Sequence, residues 1–243
     1  MNAAGSRWLV RPSPRPAARL RLYCLPYAGG GASIYFRWRQ LLPDQIEVVP
    51  VQLPGREQRY REPFAESIAA ITAELEQAIL SEADRPFAIF GHSLGASLGL
   101  DLVRSLERRG GPRPGVFFAS GRRPPHLPEN EAPLHELPDD DFLRLLQERY
   151  NSLPAALLNN AEMRRIYTTT LRADFRLLET HDYRHGQVLA TPVVALGGAD
   201  DAPHVAEIAQ WREYTAADFV SHILPGGHFF LQSAQDEVLK LIA

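Results

Sequence analysis

The stretch FAIFGHSLG, Phe87 to Gly95, decides the fold. It opens with an unbroken apolar run, as expected of a strand covered on both faces. A helical pattern starts on its far side, with Leu94, Leu98, Leu102 and Leu106 on one stripe and Gly110-Gly111 as the stop. Between them Gly91-His92-Ser93-Leu94-Gly95 has the form G-x-S-x-G. A strand that turns this sharply into a helix leaves no room for side chains beside the turn, so glycines flank it. The serine at the tip presents its hydroxyl, and the helix N-terminus favours negative charge developing there. The pattern predicts a nucleophile elbow with Ser93 as the nucleophile.

Similar apolar runs recur on both sides: Leu20–Leu25, Ile46–Leu53, Val116–Ser120, Val193–Leu196 and Phe219–Leu224. RWLVR, at 7–11, reads as a short edge strand, and the Pro- and Arg-rich 11–19 as an irregular arm. Helical stripes lie between the runs, one through Ile68, Ile71, Leu75 and Ile79 and a last one from Leu231 to Ile242. Strands alternating with helices predict an α/β fold with a mostly parallel central sheet flanked by helices, in one domain over 1–243. The alternation breaks once. From about Arg122 to Gln187 no strand is evident, and two or three helices are expected. An insertion there sits over the carboxyl ends of the strands, where sites form in open sheets, and reads as a helical lid.

A serine hydroxyl needs a base, and the base needs an orienting acid. In the α/β-hydrolase fold, to which strand–elbow–helix belongs, the acid and then the histidine follow the serine in the chain. VVALGGADD is an apolar run ending in two aspartates, and ILPGGHFFL places His228 after a glycine turn. Asp200 and Asp201 compete for the acid role, and the three-residue step from Gly197 favours Asp200. His92 sits in the elbow, where it packs or donates a hydrogen bond. His126, His135, His181 and His185 fall in the insertion, and His204 and His222 lack the Gly-Gly turn. An oxyanion hole takes the amide after the nucleophile, Leu94, and one from an early loop. In LPYAGGGAS that donor is Ala28. The same glycine run has neither G-K-[ST] nor the G-x-G-x-x-G spacing, which argues against a nucleotide loop.

Composition sets the class. The 243 residues are 45% hydrophobic and 23% charged, ordinary for a globular protein, and a net charge of −3 gives no reason to expect nucleic acid. Cys24 is the single cysteine, which suits a reducing compartment. No membrane-spanning run and no secretory h-region is read, so a cytoplasmic monomer is the expectation. Neither a metal nor another cofactor is expected; Asp200, Asp201 and His204 read as capping or solvated groups.

With these residues in place the resemblance is specific. LPYAGGGAS, VQLPGREQRYREP, GHSLGA, FASGRRPPHLP, LPDDDF, LRADFRLLE and PGGHFFL occur in this order, from about Trp8 to the end. The chain resembles the type II thioesterases that accompany polyketide synthases and nonribosomal peptide synthetases. The resemblance implies an α/β-hydrolase with a flexible helical lid. It implies hydrolysis of acyl thioesters from the phosphopantetheine arm of carrier-protein domains, so that a stalled assembly line resumes. It implies a triad of Ser93, Asp200 and His228, with the amides of Ala28 and Leu94 as the oxyanion hole. YNSLPAALLNN, within the insertion, matches no fixed pattern. Arg56, Arg59 and Arg61 have two readings, contact with an acidic carrier protein or local pairing with carboxylates, and the second is favoured. A general carboxylesterase or lipase on the same triad and a non-catalytic carrier-binding module are the rival readings.

Overall fold

Along β1 (Leu20–Leu25) side chains alternate between two cores, as the strand period requires. Leu22 and Cys24 enter one, Tyr23 and Leu25 the other, and all four are buried. The computed structural model describes residues 6–11, 13–127, 132–150, 160–183, 187–201 and 204–243.

After α1 (Trp38–Leu41) the chain alternates β2 (Ile46–Pro50), α2 (Ile68–Leu80), β3 (Phe87–His92), α3 (Leu94–Arg108) and β4 (Phe117–Ser120). The insertion holds α4 (Asp139–Tyr150) and α5 (Ala161–Thr180), and β5 (Val193–Gly198), β6 (Phe219–Leu224), α6 (Phe230–Ser233) and α7 (Gln235–Ile242) complete the chain. The strands form a six-stranded sheet in the order β2-β1-β3-β4-β5-β6, and every neighbouring pair is parallel. Helices α2 and α3 cover one face, contributing Ile68, Leu75, Leu98 and Leu102 to its core. Trp38 of α1, Phe230 of α6 and Val238 of α7 cover the other. Parallel strands bring all their carboxyl ends to one edge, and the loops after β1, β3, β5 and β6 meet there.

Two sequence expectations are adjusted. RWLVR is not a strand: only Leu9 pairs, in an isolated antiparallel bridge to Val51. The last helix is broken, because Ala234 leaves helical geometry at φ −115, ψ 39 between α6 and α7. A 3-10 stretch, His204–Tyr214, fills the β5–β6 connection, and its Trp211 is fully buried with Nε1 donating to the Arg122 carbonyl at 2.7 Å.

The insertion has a small core of its own, made by Leu134, Phe142, Leu143, Leu146, Leu171 and Phe175. Polar clamps close it. The Glu179 carboxylate accepts the amides of Leu134 at 2.8 Å and His135 at 3.0 Å, while Arg172 donates to the carbonyls of His135 and Leu137. Asn160 caps α5 by accepting the Met163 amide at 3.0 Å. Of YNSLPAALLNN, residues 151–159 lie outside the described residues. No helix among the described residues is long and apolar enough to cross a membrane.

Candidate active site

The elbow at Ser93 is tight for a measurable reason. A Cβ on Gly91 would stand 2.0 Å from the Gly95 carbonyl oxygen, and one on Gly95 would stand 2.2 Å from that of Leu25. Both obstacles are backbone, so neither position accepts a side chain. Ser93 itself has φ 55 and ψ −113, a conformation non-glycine residues adopt only at a cost of about 1–3 kcal/mol. Its amide donates to the Ser120 carbonyl at 2.8 Å, which anchors the elbow to β4. Leu94 opens α3, and an amide in a helix's first turn has no intrahelical acceptor, so it is available to an oxyanion.

The acid assignment is corrected. Asp201, not Asp200, meets the histidine: His228 Nδ1 lies 2.9 Å from Asp201 Oδ2, and both side chains are almost wholly buried. The Asp200 side chain is exposed, and its backbone amide instead donates to the Gly226 carbonyl, tying the two loops together. Gly197 and Gly198 make the three-residue step ambiguous, and the turn counts from Gly198, whose carbonyl accepts the Asp201 amide at 3.2 Å. With the carboxylate accepting from Nδ1–H, the lone pair of His228 is left on Nε2, the arrangement a general base requires.

His92 supports this histidine from behind. Its Nε2 is 2.9 Å from the His228 carbonyl and its Nδ1 is 2.9 Å from Ser120 Oγ. A carbonyl only accepts, so Nε2 carries the proton and Nδ1 accepts from the serine hydroxyl. The ring is fully buried; desolvation, aided by the nearby His228, holds it well below the ordinary histidine range. The unfolded chain therefore takes up a proton at His92 below about pH 6.5 that the folded chain refuses, and stability falls as pH drops through that value. Between pH 6.5 and 5 the wild type should lose stability more steeply than His92→Gln. Urea midpoints measured across that range check this, and parallel pH slopes for the two proteins would refute it.

Ser93 and His228 line one cavity, with Tyr27, Ala28 and Phe229 from the sheet side and Leu146, Tyr150, Tyr167, Leu171 and Phe175 from α4 and α5. Its free volume is about 20 Å³, room for roughly one water. The Tyr150 ring lies 4.7 Å from the His228 ring, so α4 ends directly over that imidazole. Burial raises the Tyr167 hydroxyl to about 12, leaving it protonated at neutral pH. The lining residues on α4 and α5 were not singled out in the sequence; LPDDDF and LRADFRLLE marked these helices without saying which face turned inward.

The three arginines after Pro54-Gly55 part ways. Arg56 makes a buried bidentate pair with Asp174, Arg59 pairs with Glu62 and packs over Trp8, and Arg61 contacts the exposed Tyr60. Local pairing thus accounts for Arg56 and Arg59. Among the described residues, no cluster of three or more His, Cys, Asp and Glu side chains could hold a metal ion.

The family model described as "Thioesterase domain" matches residues 20–243. The chain is 42% identical over 245 residues to the protein named linear gramicidin dehydrogenase LgrE of Brevibacillus parabrevis, covering 99% of this chain and 93% of that one. Among solved structures it is similar to the RedJ thioesterase from the prodiginine pathway of Streptomyces coelicolor, with TM-score 0.86, 36% identity and 96% and 88% of the two chains covered. It is also similar to the type II thioesterase BorB from the borrelidin biosynthetic cluster, with TM-score 0.84, 32% identity and coverage of 97% and 94%.

Proposed function

The chain belongs to the thioesterase domain family, and from that premise we propose that it hydrolyses acyl thioesters on the phosphopantetheine arm of carrier-protein domains, clearing a polyketide or nonribosomal peptide assembly line. One observation carries the chemical part: Ser93, strained at an elbow, shares a cavity with His228, whose Nδ1 is held by a buried carboxylate.

In this reading Ser93 Oγ attacks the thioester carbonyl and its proton passes to His228 Nε2. Asp201 stabilises the imidazolium and fixes its orientation. The amides of Leu94 and Ala28 hold the tetrahedral oxyanion. As the carbon–sulfur bond breaks, the pantetheine thiol leaves with the proton from His228. Water then attacks the acyl-serine, gives its proton to His228, and the acid departs as Ser93 recovers the proton. Helices α4 and α5 act as the lid, and the apolar side chains of Leu146, Leu171 and Phe175 receive the acyl group.

The dehydrogenase name of one relative does not redirect this reading. A dinucleotide fingerprint needs free loop amides at a helix N-terminus for its phosphates. Here the Gly29 amide is taken by the Asp174 carboxylate at 2.7 Å, a neighbour that repels phosphate.

The test is one short acyl group presented on a carrier protein, on free pantetheine and as an oxygen ester. Carrier-bound acyl groups should turn over at least about tenfold better in kcat/KM than free pantetheine thioester, which corresponds to roughly 1.4 kcal/mol of docking energy. Equal or better turnover of the oxygen ester would replace this reading with a general esterase on the same residues.

A further inference from the structure

Two motifs far apart in the chain meet beside the oxyanion loop. Asp174, from LRADFRLLE on α5, is fully buried. Its Oδ2 accepts from the Gly29 amide at 2.7 Å and from Arg56 Nη1 at 2.5 Å, and its Oδ1 accepts from Arg56 Nη2 at 2.7 Å. Arg56, from the Pro54-Gly55-Arg56 turn, lies 118 positions away; it also donates Nη1 to the Gly30 carbonyl and Nε to the Pro54 carbonyl, both at 3.3 Å. The glycine turn is thus gripped on both of its polar sides. Its amide at Gly29 goes to the carboxylate and its carbonyl at Gly30 to the guanidinium.

The gripped residues follow Ala28 directly. Gly29 has φ +80, and a Cβ there would stand 2.8 Å from Leu171 Cδ2, so the turn lies flush against α5. The Gly30 amide closes the turn onto the Tyr27 carbonyl at 2.9 Å. The direction of the Ala28 N–H depends on where this turn is held. We propose that Asp174, with Arg56, is a positioning residue for the oxyanion hole: it sets the Ala28 amide for the transition state when α5 is seated. This rests on the assignment of Ser93 and Ala28 made above.

Charge and position pull in opposite directions here, which makes the proposal testable. Asp174→Asn removes a negative charge beside the oxyanion loop and leaves the Arg56 cation unpaired, a change that by Coulomb's law alone favours an oxyanion. Loss of position disfavours it: removing one oxyanion donor costs about 10²–10³ in kcat, and a misplacement of about 1 Å costs about 10². We therefore expect Asp174→Asn to lower kcat roughly 10- to 100-fold with KM within about twofold, by the same factor for acetyl, hexanoyl and decanoyl pantetheine thioesters. The Ki of an alkyl boronic acid, which forms a tetrahedral adduct on the serine, should rise by a similar factor.

A second variant separates position from stability. Arg56→Met with Asp174→Leu replaces the buried pair by apolar groups, an exchange that is often neutral or stabilising, while the Gly29 amide stays unheld. This double variant should melt near the wild type and still show the kcat and boronate defects; it carries the test if the single variant fails to fold. Activity returning with stability would overturn the proposal, as would a defect that varies with chain length or leaves boronate affinity untouched. Labelling of wild-type Ser93 by a fluorophosphonate keeps the two readings apart. Label present with Asp174→Asn at full kcat defeats the positioning role alone, whereas no label defeats the underlying site as well.

Discussion

Ser93→Ala should lower kcat for thioester hydrolysis by about 10⁴- to 10⁶-fold, the range seen when the nucleophile of a serine triad is removed. The residual rate is what an oxyanion hole and substrate binding supply alone. The fold should not suffer. Alanine keeps the Cβ, so the residue at φ 55 carries the same backbone strain as before, and Ser93 is only partly buried in the wild type. A change in stability within about 0.5 kcal/mol is expected for a substitution that creates no cavity. Steady-state kinetics, a thermal melt and loss of fluorophosphonate labelling together check it. A variant within 100-fold of wild type would mean another nucleophile does the chemistry.

Asp201→Asn should cost about 10³- to 10⁴-fold in kcat, while Asp200→Asn stays within about twofold. The asymmetry follows from burial and aim. Asp201 is buried and 2.9 Å from His228 Nδ1; Asp200 points to solvent. An asparagine at 201 turns an NH₂ toward Nδ1, which forces the proton onto Nε2 and removes the lone pair that takes the proton of Ser93. Because the amide has nearly the shape of the carboxylate, KM should change little. Kinetics of the two neighbouring variants decide the matter. If the Asp200 variant were the dead one, the loop after β5 would have to turn over during catalysis.

The sequence made most of this readable, and the failures are informative. Periodicity placed the strands because a sheet covered on both faces needs continuous apolar runs, and FAIF, FFAS and VVAL are such runs. The elbow was legible because its steric demand writes itself into Gly91 and Gly95. The choice between Asp200 and Asp201 was not, since adjacent residues on a loop differ only in which way the backbone turns, and Gly197-Gly198 allows both counts. Asp174 and Arg56 were visible as motif members but not as partners, because nothing local records a contact between an inserted helix and a distant turn. The edge strand at RWLVR failed for a related reason: its single pair at Leu9 depends on where Val51 runs.

The strain at Ser93 has a consequence for anyone engineering this protein. Glycine is comfortable at φ 55, ψ −113 where serine is not, so the position proposed as the nucleophile is also one where the chain gains robustness by giving up its hydroxyl. A library sorted only for heat tolerance or protease resistance will enrich dead elbows among its winners. Directed evolution of this scaffold needs a turnover readout in every round, since durability and the proposed chemistry are opposed at Ser93.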